Sequence, residues 1–135
     1  PKSLRSLHQE GVVNVTGEVQ DVRPFLQRAA VSVCPIRGGA GAKNKILESL
    51  AVGTPVISTS IGMEGVGDIF DELLPIGDDP QSFADHVVEL MLKRELRERI
   101  AREGRQLVVQ ELSWQKSLAP LNTLIEDFSR RNVAE

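Results

Sequence analysis

The sequence predicts an α/β fold built on a mostly parallel sheet, and three observations carry that expectation. Short β-branched runs alternate with amphipathic stretches of about ten residues, the pattern of βαβ units. Glycine or proline marks most of the junctions between them. After Gly77 the strand-like runs stop and helical periodicity takes over to the end of the chain.

Taken in order, Ser3 to Glu10 reads as the tail of a helix that Gly11 stops. Val12 to Val15 is a first strand, ended by Thr16-Gly17. Asp21 followed by Pro24 is a helix-start signal, and that helix runs to about Ala29. Val31 to Ile36 reads as a second strand, followed by the glycine-rich turn Arg37 to Gly41. Lys43 to Val52 carries Ile46, Leu47, Leu50 and Ala51 on one helical stripe, and Gly53 ends it. Pro55 to Thr59 is a third strand and Leu73 to Ile76 a fourth. Asp79-Pro80 opens a helix with Phe83, Val87, Val88, Leu90 and Met91 on its apolar positions. A charge-rich helix covers Glu95 to Leu112. Ser113 caps a last helix holding Trp114, Leu118, Leu121, Leu124, Ile125 and Phe128, with Trp114 expected as a packing anchor and a frayed end from Ser129.

Composition narrows the function. At 135 residues the chain fits one domain, with an apolar share of 41% and a charged share of 26%. Aromatics are only 4% and the net charge is −3, which speaks against a stacking platform or a phosphate-backbone surface and so against nucleic acid. The single Cys34 excludes an internal disulfide, and no His/Cys cluster offers a structural zinc site. Its place in an apolar run reads as a buried, inert thiol. No apolar run approaches the ~20 residues that span a bilayer. No signal peptide opens the chain, and a cytoplasmic setting is the default expectation. The start at Pro1 suggests an excised piece.

The chemistry concentrates in the strand, turn and helix from Val31 to Val52. Ligands of open α/β sheets bind at the carboxyl ends of strands. A glycine-rich turn lets backbone N–H groups approach an anion, and the following helix start favours negative charge. Lys43 and Lys45 add full positive charge there, so a phosphate-bearing ligand is one reading and a plain tight turn the other. The turn fits neither the G-x-x-x-x-G-K-[ST] nor the G-x-G-x-x-G pattern. Glu48 lies beside the apolar stripe and could accept two hydrogen bonds from a ribose diol; a surface glutamate or an arginine partner is the alternative.

From Gly41 to Thr59, through Lys43, Asn44, Lys45, Ile46, Leu47 and Glu48, the chain resembles the signature of family 4 glycosyltransferases. Val15-Thr16-Gly17-Glu18-Val19 before Asp21 resembles the family's "V-x-G-x-V-x-D" segment. Ile61 to Gly65 resembles its "G-x-E-G" loop, and Leu112-Ser113-Trp114 its "[FY]-S-W" ending. The similarity spans nearly all of residues 10 to 128.

This resemblance implies a GT-B enzyme with two Rossmann-like domains, of which residues 1–135 are part of the C-terminal, nucleotide-sugar-binding one. It implies a three-layer α/β/α arrangement followed by C-terminal helices. It also implies retention of anomeric configuration, no metal and no cofactor beyond the nucleoside-diphosphate sugar as substrate. Donor-binding positions carried over are Gly38, Gly39, Ala40, Gly41, Lys43, Asn44, Lys45 and Glu48, with Glu48 on the ribose hydroxyls and the turn against the diphosphate and sugar. Gly17, Val19 and Glu64 are further candidates.

Two departures are visible. The family often has a glutamate where this chain has Ala40. Two βα units of the family's domain, with basic residues that clamp the diphosphate, precede the equivalent of Pro1. The N-terminal acceptor domain, which would carry the catalytic groups, is the missing partner. Little or no transfer is therefore expected of these residues alone. Without those units, Val12–Val15 and Val31–Ile36 would present open edges, to be met by direct pairing with each other or by self-association. A glycan or lipid-linked acceptor, an envelope-polysaccharide pathway and a peripheral membrane location for the full-length protein follow from the family's habits. The rival readings are a GT-B-shaped sugar-nucleotide epimerase and a non-catalytic α/β interaction module.

Overall fold

The computed structural model describes residues 5–39 and 44–132, so Ala40, Gly41 and Lys43 of the expected site lie outside the described residues. The fold is a helix-rich α/β arrangement around a small parallel sheet.

Pro24 in the first turn fixes the start of helix α1 (Arg23–Arg28). The Asp21 carboxylate accepts the Arg23 N–H at 2.9 Å and pairs with its guanidinium. Strand β1 (Ser32–Cys34) follows, then helix α2 (Asn44–Ala51), which buries Ile46, Ser49 and Leu50. Gly53, at φ 82°, turns the chain out of α2 in a conformation that glycine adopts without strain. It leads to strand β2 (Val56–Ser58). β1 and β2 pair in parallel, with Ser32 opposite Val56 and Cys34 opposite Ser58. On the far side of β2, Ser58 forms a parallel bridge with Ile76.

A short helix α3 (Ser60–Met63) leaves the end of β2, and a 3₁₀ turn spans Asp68–Phe70. Helix α4 (Pro80–Leu92) is capped by Asp79, which accepts N–H bonds from Gln81 and Ser82. Helices α5 (Arg94–Glu111) and α6 (Trp114–Asn132) complete the described chain.

The core lies where α2, α4 and α5 close on β2. Ile46, Leu50, Val56, Ile57, Phe70, Leu90 and Ile100 are all within 2% of full burial. All three residues of β2 are buried, and successive side chains point to opposite faces, so β2 is covered on both sides. Each such side chain contributes roughly 1.5–3 kcal/mol of burial. Gly104 lets α5 approach α2: a Cβ there would lie 2.6 Å from Leu50 Cδ2.

Four expectations change at the level of elements. The predicted helix tail to Glu10 is helical at Arg5, its first described residue, and then gives way to a turn closed by an antiparallel Gln9–Val13 bridge. The predicted strand Val12–Val15 is reduced to that one bridge residue and does not pair with β1. A β-branched run forms a strand only where a neighbour accepts its hydrogen bonds, and none of the described residues supplies one. The predicted strand Leu73–Ile76 shrinks to the single bridge at Ile76, because Leu73 and Leu74 close a turn on the Phe70 carbonyl. Trp114 is 77% exposed rather than an anchor; α6 meets the rest of the chain mainly at α5.

Candidate functional site

The loops that leave β1 and β2 rise together at the carboxyl edge of the sheet, where parallel α/β folds place ligands. Gly38 and Gly39 follow β1 and are exposed. Gly39 has φ 125°, a region that disfavours other residues, and a Cβ on Gly38 would meet open space.

Helix α2 sorts its residues by face. Ile46, Ser49 and Leu50 point inward, while Asn44, Lys45 and Glu48 are exposed. Asn44 and Glu48 are one turn apart and Lys45 and Glu48 three residues apart, so all three share the outer surface. Among the described residues the Glu48 carboxylate has no hydrogen bond and no ion pair, so the arginine-paired alternative is not found there. The buried Ser49 hydroxyl bonds the Lys45 carbonyl at 2.8 Å and lies 3.0 Å from the Ser32 hydroxyl, fixing the helix against β1.

Glu64 stands exposed just past α3, on the loop after β2. It follows β2 as Gly38 and Gly39 follow β1. Gly17 lines a cavity of about 560 Å³ together with described residues from Arg5 to Glu18. Gly17 itself is exposed, with φ 74°.

Three residues absent from the expected set organise this edge. Thr59 Oγ1 donates to the Ile36 carbonyl at 2.5 Å and accepts the Gly62 N–H, so it joins the two loops and caps α3. Asp78, one residue past the Ile76 bridge and Gly77, accepts the Ser60 N–H at 2.8 Å and its hydroxyl at 2.7 Å. These bonds, the hydroxyl first, hold the Asp78 carboxyl below its ordinary range. Arg37 lines a cavity of about 360 Å³ together with Ile36, Thr59, Ser60, Ile61 and Asp78. Sequence signals for the first two are faint: a hydroxyl at a strand end and a doubled aspartate after Gly77. Arg37 was visible only as the residue opening the glycine-rich turn.

Of the histidines, His8 accepts the Val15 N–H on Nδ1 and His86 lies 3.7 Å from Glu89 on α4. Both partners are local in sequence. Among the described residues no group of three His, Cys, Asp or Glu side chains is placed to hold a metal. No helix among them is long and apolar enough to cross a membrane.

Comparison with known proteins agrees with this architecture. A family model described as glycosyl transferases group 1 matches residues 1–93. An uncharacterized glycosyltransferase of Methanocaldococcus jannaschii is 26% identical over 113 residues, covering 81% of this chain and 31% of that protein. An uncharacterized 44.6 kDa protein in the cps region of Klebsiella pneumoniae is 30% identical over 89 residues, covering 64% of this chain and 23% of that protein. The chain thus spans less than a third of the length of either relative. No solved structure matches it significantly.

Proposed function

The chain belongs to the group 1 glycosyl transferases, and we propose that it forms the donor-binding part of a retaining, metal-independent GT-B enzyme of family 4. In this reading the donor is a nucleoside-diphosphate sugar. It lies across the carboxyl edge of β1 and β2. The turn Gly38–Gly41 and the start of α2, with Lys43, Asn44 and Lys45, face the diphosphate. Glu48 accepts the ribose hydroxyls. The sugar goes to a glycan or lipid-linked acceptor held by a further domain, which also supplies the catalytic groups. The reading includes a cytoplasmic site of action, peripheral to the membrane, and self-association through the open β1 edge.

The observation that carries this is the pairing of two features, one after β1 and one on α2. Exposed glycine sits at the strand end, and Glu48 stands one turn into α2 without a protein partner among the described residues. An exposed carboxylate beside an anion-favouring turn suits a ligand that joins a diol to a diphosphate.

Turnover separates the roles of the parts. The full-length polypeptide should release nucleoside diphosphate from one donor sugar in the presence of acceptor, with the anomeric configuration kept in the product. The 135-residue chain alone should release none above background. Equal release by the chain alone would contradict the division of labour.

A further inference from the structure

We propose that Asp78 is a positioning residue for the donor site: its carboxylate locks the loop after β2 into the shape that forms one wall of the ligand-binding edge. The proposal rests on the donor-binding reading above and adds a residue that the motif set does not contain.

The geometry begins with strand register. Ser58 bridges Ile76, and the Gly77 N–H donates to the Ser58 carbonyl at 3.0 Å. The two chains therefore run side by side as they leave the sheet. Asp78 emerges opposite Ser60 and reaches it with both oxygens, at 2.8 Å to the N–H and 2.7 Å to the hydroxyl. A charged acceptor with two bonds to one residue is a strong, directional tie.

Ser60 is the first residue of α3, a helix of four residues that has little stability of its own. Its placement must come from outside. Two ties supply it. Thr59 Oγ1 fastens the loop to Ile36 after β1, and Asp78 fastens it to the segment after Ile76. The loops of three neighbouring strand ends are thereby joined in one row. Gly62 completes the fit from below: a Cβ there would stand 2.1 Å from Ser58 Oγ, so α3 can seat this closely only with glycine.

The cavity of about 360 Å³ lies on this row and is lined by Arg37 and Ile36 from the loop after β1 and by Ser60, Ile61 and Asp78 from the two loops beside it. Both Asp78 oxygens are occupied by Ser60, so the carboxylate acts through the loop. Releasing Ser60 would let α3, and Glu64 at its end, drift from the facing loop.

The test compares Asp78→Ala and Asp78→Asn with the parent in the full-length polypeptide. One readout is calorimetric affinity for UDP, GDP and ADP; the other is exchange of the Ser60 amide proton by NMR. The expected result for Asp78→Ala is an affinity loss of about tenfold or more. The Ser60 amide should exchange faster, with the thermal midpoint within about 4 °C of the parent. Asp78→Asn, which keeps one acceptor oxygen, should recover much of the affinity. Parent-like affinity in Asp78→Ala overturns the proposal. So does a loss that merely follows unfolding while a folded Asp78→Asn has lost the Ser60 tie and still binds as the parent does. If the parent binds no nucleotide, the donor reading fails on its own account, and Ser60 exchange then decides the lock: unchanged exchange in Asp78→Ala overturns it, faster exchange upholds it.

Discussion

Gly38 and Gly77 both follow a parallel strand position, yet a methyl group would meet very different surroundings at the two. At Gly77 it would lie 2.6 Å from Phe83 Cα, which is backbone and cannot turn aside. Gly77→Ala should therefore cost about 1–3 kcal/mol, read by chemical denaturation. At Gly38 nothing lies within 4 Å, so Gly38→Ala should stay within about 0.5 kcal/mol of the parent. A crowded Gly38 or a tolerant Gly77 in that experiment would mean the strand-end loops are placed wrongly. Protonation adds a second test at this scale. The carboxyls of Asp78 and Asp79 are held below the ordinary value of 3.8 by their hydrogen bonds to Ser60 and Ser82. A group whose folded pKa is depressed stabilises the fold above its unfolded pKa and loses that contribution as pH falls through the folded value. Stability should thus be flat with respect to these two groups near neutrality and fall progressively as pH drops through the ordinary value of 3.8 towards the lower folded values. Asp78→Asn with Asp79→Asn should flatten that acid limb.

Helices and caps were the most legible elements, because their signals are local. Asp79-Pro80 announces α4, and the structure places the Asp79 carboxylate on the Gln81 and Ser82 N–H groups. Ser113 does the same for α6 through the Lys116 N–H. The stripe of α2 is buried as its periodicity implied, at Ile46 and Leu50. Strands were less legible, because a strand is completed by a partner that sequence does not display. Val31–Ile36 narrows to Ser32–Cys34, and Val12–Val15 finds no ladder among the described residues. At the site, Glu48 and the glycine turn stood out through residue type and spacing. Thr59 and Asp78 did not, since their roles arise from contacts across 23 and 18 residues that only the folded sheet creates. Leu50 offers the element-scale test. It is fully buried and packs against Gly104 of α5, so Leu50→Ala should cost about 2–5 kcal/mol by denaturation. A cost near zero would mean that α2 and α5 do not share a core.

For the whole molecule, the apolar surface left open is as informative as the core. Val33 on β1 is 52% exposed, and along α6 Trp114 and Phe128 are 77% and 70% exposed. The chain covers 31% and 23% of its two relatives, so their remaining lengths offer ample material to cover such surface in a longer protein. Studied by itself, the 135-residue chain should associate with itself as concentration rises, by light scattering. A strict monomer would remove self-association from the proposed function. The central claim, that the carboxyl edge of β1 and β2 holds a nucleotide sugar, is tested most directly by calorimetric titration of the full-length polypeptide with UDP, GDP and ADP, alongside Glu48→Ala. The account predicts saturable binding of one nucleotide, weakened about tenfold or more in the variant while its fold is unchanged. Failure of the parent to bind any nucleotide at millimolar concentration, or binding that ignores Glu48, would contradict it.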